Sequence, residues 1–363
     1  MPELIGWDTA RSVGKRIAQR QAHLSDYEQR SLETDFEEMT TQAESLVEAE
    51  TGLVSLAGPA RARVTDRSEW IDVNVASFRR LLRPLSSKLE SRLSSNPRWS
   101  LRSAGVTRHA SGVELGLVLG WMSGRVLGQY DQLLIEDEDP EEQDIVYYVG
   151  SNVVAVERKY GFAPSEFRLW LALHEVTHRA QFTGVPWLRD HFLAMVDKTL
   201  DGIDVDPRAL VDALQRAVSA ARSGNNPLEE GGLVTLFATP EQHEAIRSVG
   251  ALMSLLEGHG DVTMNRAAAG LIPSAGVFAE TLHARRQQRG PARMFSMLIG
   301  MEAKMRQYKQ GEDFIGAVEE RGGPSLLAKV WEGPEWLPDW EEIRNPNLWI
   351  TRVDAAKGEA KAL

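Results

Sequence analysis

Residues 170–182 read WLALHEVTHRAQF and contain the string His174-Glu175-Val176-Thr177-His178. The flanks predict one helix. Pro164 suits a first helical turn, EFRLWLALHEVTHRAQF continues it, and Gly184 with Pro186 just beyond stops it. On a helix, residues four apart share a face, so His174 and His178 can aim a ring nitrogen each at one ion. Glu175 lies about 100° round the helix from His174 and reaches a water on that ion rather than the ion itself. Zinc lowers the pKa of its bound water to about 7, and a neighbouring carboxylate can take that proton and pass it to a leaving group. The string by itself is expected by chance in about one chain in a hundred of this length. The competing reading is two partly buried structural histidines beside an exposed glutamate.

A catalytic zinc needs a third protein ligand and an open position. The chain has no cysteine, so that ligand must be His, Asp or Glu, and thiol catalysis and disulfides are excluded. A third histidine six residues after His178 would be the metzincin pattern, but position 184 is Gly. A second helical segment, Leu255-Leu256-Glu257-Gly258-His259-Gly260-Asp261, supplies a glutamate instead. Glu257 and Asp261 are four apart on one face, which is the gluzincin arrangement. Glu257 binds the metal, and Asp261 accepts a hydrogen bond from the second nitrogen of a ligand histidine. His259 is the competing ligand. It stands about 200° from Glu257 on a regular helix, so only distortion at the flanking glycines would let both face one ion. Tyr308, Arg306 and His259 are candidates for the extra donor that a tetrahedral oxyanion requires.

Composition bounds the rest. The 363 residues are 42% hydrophobic and 26% charged, enough for a sizeable core in one large or two intimate domains. A net charge of −11 without a basic cluster argues against nucleic-acid binding. No apolar run reaches membrane-spanning length, and MPELIGWDTARSVGKRIAQR has no signal-peptide core, so a cytoplasmic protein without membrane insertion is expected.

Along the chain, the first 100 residues are predicted to be mostly helical, with amphipathic stretches over 25–50 and 70–93. Gly112, Gly116, Gly120, Gly124 and Gly128 recur every four residues, a smooth helical stripe for close backbone approach. Residues 136–144 form an acidic loop, and IVYYV with NVVAV after it reads as the best strand pair. SGNNPLEEGG at 223–232 is a connection, Thr239-Pro240 opens the helix carrying Glu257, and helix resumes over 294–318. The expected organisation is an N-terminal helical region over 1–110, a catalytic region over 111–353 and a disordered tail over 354–363.

Four segments, VLGQYDQLL, LALHEVTHRAQFTGVPWLRDHF, LLEGHGDVTMN and KMRQYKQGEDFIGAV, together resemble the zincin-like metallopeptidases of type 2. These are bacterial proteins frequent in actinomycetes. The resemblance runs from about residue 70 to 353. It implies a zincin-like α+β fold, predominantly helical with a small sheet, and a hydrolase activity. Part of that family is named for an association with biosynthesis of a deazaflavin coenzyme.

The resulting expectation is one zinc ion held by His174, His178 and Glu257, with Glu175 as general base and then acid for hydrolysis of a peptide or small amide. The rival is a zinc-binding scaffold or interaction protein without peptidase activity.

Overall fold

The computed structural model describes residues 5–19, 24–83, 86, 101–130, 143–201, 240–286 and 301–360. The acidic stretch at 136–142, the connection at 223–232 and residues 294–300 therefore lie outside the described residues. The fold is α+β and predominantly helical, as expected, with one small sheet. No described helix is long and apolar enough to cross a membrane. The chain divides into two compact units, Met1–Gly184 with Ala267–Phe278, and Val185–Arg266 with Ala279–Leu363.

The first unit opens with α1 (Trp7–Ala18) and α2 (Asp26–Thr51). A capping box starts α2: the Glu28 N–H donates to Ser25 Oγ, and the Ser25 N–H donates back to Glu28 Oε2 at 2.8 Å. Gly52, with φ of 69°, ends it in the left-handed conformation. Leu32, Phe36, Thr40, Ala43 and Val47 form its buried stripe at three- and four-residue spacing. Strand β1 (Arg61–Thr65) follows, a strand inside the region expected to be helical. Next come α3 (Arg67–Leu81) and α4 (Leu101–Ser123).

The glycine stripe is split by the structure. Gly112, Gly116 and Gly120 lie on α4 and let it close on α1; a Cβ at Gly112 would stand 2.4 Å from the Gly6 carbonyl oxygen. Gly124 follows the end of α4, and Gly128 opens strand β2 (Gly128–Tyr130). The helix thus ends before the repeat does.

Strand β3 (Ile145–Val149) is central and buried throughout. It pairs in parallel with β1, Arg61 opposite Ile145, and antiparallel with β2, Gly128 opposite Tyr148. The expected partner strand NVVAV is instead part of α5 (Gly150–Tyr160). A short β-branched run serves a strand or a buried helix equally well, and here tertiary context decides. The Asn152 carboxamide donates to the Ser123 and Val126 carbonyls at 2.7 and 2.6 Å, which anchors the first turn of the helix.

Helix α6 (Pro164–Gly184) has the bounds its punctuating residues predict. It is buried over most of its length and packs on α2. The Glu166 carboxylate accepts the Ser274 N–H at 2.9 Å, while Phe167 and Trp170 surround Phe278.

The second unit contains α7 (Leu188–Asp201), α8 (Pro240–Ala267), most of α9 (Ala275–Arg286), α10 (Met301–Gly322) and the short α11 (Pro324–Leu327). It closes with α12 (Trp340–Arg344) and α13 (Pro346–Ala360). Its core gathers Ala251 and Leu255 of α8, Phe314, Ile315 and Val318 of α10, and Trp349 and Val353 of α13. Helices α8 and α10 meet backbone to backbone. A Cβ at Gly311 would lie 1.9 Å from the Ser254 carbonyl oxygen, and one at Gly258 would lie 2.3 Å from the Gly311 carbonyl carbon. Helix α13 continues through 354–360, the start of the expected disordered tail. Alanine- and lysine-rich sequence favours helix even where composition suggests a frayed end.

Candidate metal centre

One turn of α6 brings His174 and His178 together. Their rings are nearly perpendicular, at 87°, and their Nε2 atoms are 3.3 Å apart. Two imidazoles bound tetrahedrally to one zinc at roughly 2.0–2.1 Å place their nitrogens about 3.3–3.4 Å apart. The pair therefore fits a shared zinc ion, and imidazole is an apt ligand chemistry for it. Nδ1 of His178 is 3.0 Å from Oε1 of Gln181, a fully buried side chain on the same helix.

Glu175 is 7% exposed, not the exposed glutamate that two structural histidines would leave between them. Strand β2 is what covers it. The Val149 N–H donates to the Leu127 carbonyl at 2.8 Å, so Leu127 turns its polar main-chain groups toward β3. By antiparallel alternation Gln129 does the same, and Gly128 and Tyr130 turn theirs away. The outward Tyr130 N–H donates to Glu175 Oε2 at 3.1 Å. Gly128 lies against the same side chain, and a Cβ there would be 2.7 Å from both Cγ and Oε1 of Glu175. The strand is held from behind, because the Gln129 carboxamide oxygen accepts the Trp70 indole N–H at 2.8 Å.

The electrostatic surroundings are built from buried ionic and phenolic groups. Arg179, four residues after Glu175 and 1% exposed, donates twice to Asp144 at 2.9 and 2.7 Å, to Glu44 at 2.6 Å and to the Gly58 carbonyl at 2.7 Å. Burial works against its charge, but the bonds and charges of Asp144 and Glu44 outweigh that and hold its pKa above the usual value. Asp144 also accepts the Tyr130 hydroxyl at 3.2 Å. Tyr148, stacked on Phe36 at 3.8 Å, has its phenol pKa pushed up by burial. A hydroxyl contact with Thr40 opposes the shift, and the Glu175 carboxylate adds to it.

The structure thus brings His174, Glu175 and His178 together on α6. Glu257, His259 and Asp261 lie on α8 of the second unit, Glu257 buried and Asp261 half-buried. Helix α8 runs uninterrupted through Gly258 and Gly260, and the His259 ring packs edge-on against Trp331 at 5.0 Å. Arg306 and Tyr308 belong to α10, but their side chains lie outside the described residues. Trp170 packs against Phe167 and Phe278, and the half-buried Trp187 donates to the Trp331 carbonyl at 3.0 Å.

Gly128, Tyr130, Asp144, Arg179 and Gln181 escape the sequence reading. Gly128 and Tyr130 do fall in VLGQYDQLL, one of the segments carrying the resemblance, but their pairing with Glu175 is a long-range contact. Gln181 is only three residues beyond the string, where a search for carboxylate partners passes over it.

An HExxH helix with paired imidazole nitrogens and a glutamate held under an edge strand defines a metallohydrolase-type centre. The chain belongs to the zincin-like metallopeptidase family, whose model matches residues 5–350. It is also similar to the crystal structure of a candidate hydrolase with a novel fold from Chloroflexus aurantiacus. That similarity has 30% identity and a TM-score of 0.71, and it covers 96% of this chain and 99% of that one. No curated protein matches the chain.

Proposed function

We propose that this protein is a zinc-dependent hydrolase of peptide or related amide bonds, of the gluzincin type, with one zinc ion held by His174, His178 and Glu257. The observation that carries the reading is the 3.3 Å separation of the two Nε2 atoms, beside a buried glutamate, in a chain of this family. The preference for Glu257 over His259 draws support from α8 itself. Without distortion at the glycines the two side chains point about 200° apart, and His259 is engaged with Trp331. In the same scheme Asp261 accepts the second ring N–H of a ligand histidine.

Zinc, when bound, activates a water as nucleophile near neutral pH. Glu175 takes the proton of that water as general base and returns it to the leaving amine as general acid. Tyr130 contributes by holding Oε2 with its main-chain N–H, which limits the carboxylate's freedom to turn away from the reacting atoms. We further propose a cytoplasmic location and no nucleic-acid partner.

The test is the metal content of untagged protein purified without added zinc, for the parent, His174→Ala and Glu257→Ala. The expected result is near-stoichiometric zinc in the parent and loss from both variants. Zinc that survives in Glu257→Ala would transfer the third-ligand role to His259. A parent that holds none and takes up none on titration would overturn the reading. Glu175→Gln should retain zinc and lose turnover, and unchanged turnover would sink the proposed base. A zinc-loaded parent that cleaves nothing in broad peptide and amide libraries would favour the scaffold reading.

A further inference from the structure

We infer that Gln181 is a positioning residue for the metal ligand His178: its carboxamide oxygen holds the proton on Nδ1 and so presents Nε2 to the ion. This rests on the metal reading above. With the carboxamide oriented so that Oε1 faces Nδ1 at 3.0 Å, that oxygen can only accept, which places the hydrogen on Nδ1 of His178. The lone pair then sits on Nε2, the atom 3.3 Å from Nε2 of His174.

Packing alone does not call for an amide here. Gln181 is wholly buried, and burying an amide costs free energy that an apolar side chain of similar shape would avoid. Its carboxamide oxygen is accounted for by the bond to His178 Nδ1. Gln181 is three residues after the half-buried His178 on the same helix, and its own full burial keeps its carboxamide in place beside that ring.

A neutral acceptor also suits the charge balance. A dication with the Glu175 and Glu257 carboxylates sums to zero, so the amide leaves the centre neutral, while both histidines are half-buried and a further charge there stays partly solvated. A carboxylate would nevertheless make the same bond. That separates the positioning role from a packing role.

The experiment is zinc affinity by competition with a chromophoric chelator, using the full-length parent, Gln181→Met and Gln181→Glu, each checked for fold by circular dichroism. Gln181→Met should bind zinc about 10–100-fold more weakly. Gln181→Glu should bind close to the parent, because the acceptor is restored. A Gln181→Met protein that binds as tightly as a zinc-binding parent overturns this inference alone. A parent that binds no zinc overturns the metal reading, and the inference with it. Should Gln181→Met fail to fold, nitrogen-15 NMR of the metal-free parent still decides. The Nδ1–H tautomer of His178 is the expected result, and the Nε2–H tautomer overturns it.

Discussion

The main-chain N–H of Tyr130 donates to Oε2 of Glu175 at 3.1 Å, which ties the edge strand of the sheet to the helix that carries both histidines. The same tyrosine reaches Asp144 with its hydroxyl, and Asp144 is paired with Arg179 on that helix. Glu175 and Arg179 are one turn apart, so β2 is fastened to α6 at two successive levels. The carboxylate proposed as general base is thus held by backbone, and its orientation depends on where the strand lies.

Gly128→Ala should separate position from presence. Its new Cβ would come within 2.7 Å of Cγ and Oε1 of Glu175, so that side chain must move. Moving the carboxylate breaks its bond to the Tyr130 N–H in a buried setting, at a cost of about 1–3 kcal/mol. Zinc content should stay near the parent's and the thermal midpoint should fall modestly, while kcat falls by about tenfold or more, the scale of a misplaced general base. Unchanged kcat with an identical metal content would show that the glycine is not there to seat Glu175.

How much of this was legible in the sequence follows from distance along the chain. The bounds of α6 are set by Pro164 and Gly184, local signals that need no tertiary knowledge, and the two histidines follow from a four-residue spacing. The start of α8 at Pro240 is local in the same way. Strand β2 has three residues, too few to show alternation, and its meeting with Glu175 joins positions 45 apart. Strand β1 hides its role because RARVT carries two arginines in five residues, and NVVAV misleads because β-branched residues fill a buried helix as readily as a sheet. Gln181 gives no signal in the sequence for a chemical reason: ligand histidines commonly bond carboxylates, and here the acceptor is a neutral amide.

Arg179→Met should be among the most destabilising substitutions in the first unit. It removes a guanidinium that is 1% exposed and takes from the Asp144 and Glu44 carboxylates the cation that bonds both. Removing one partner of a buried ionic group costs about 3–5 kcal/mol. Arg179→Lys keeps the charge but cannot span Asp144, Glu44 and the Gly58 carbonyl with one nitrogen, so it should fall between. Urea unfolding of the three proteins checks the order. Because Asp144 also receives the Tyr130 hydroxyl, Arg179→Met that still folds should lose turnover as well, through a loosened β2.

A pair of glycine substitutions isolates helix packing from helix propensity. Gly116 on α4 lies against α1, where a Cβ would stand 2.6 Å from the Ala10 carbonyl oxygen and 2.8 Å from Val13 Cβ. Gly316, within α10, is exposed and has nothing within 4 Å of the same added atom. Both changes to alanine remove the entropic cost of a helical glycine, about 1 kcal/mol, so Gly316→Ala should stabilise by up to that amount. At Gly116 the obstructing atom is backbone, and α1 and α4 must separate to admit the methyl. Overpacking of this kind costs about 1–3 kcal/mol, which exceeds the propensity gain, so Gly116→Ala should destabilise. Opposite signs in urea unfolding are the expected result. Equal stabilisation by both would mean that α1 is not held against α4 by the close approach at this stripe.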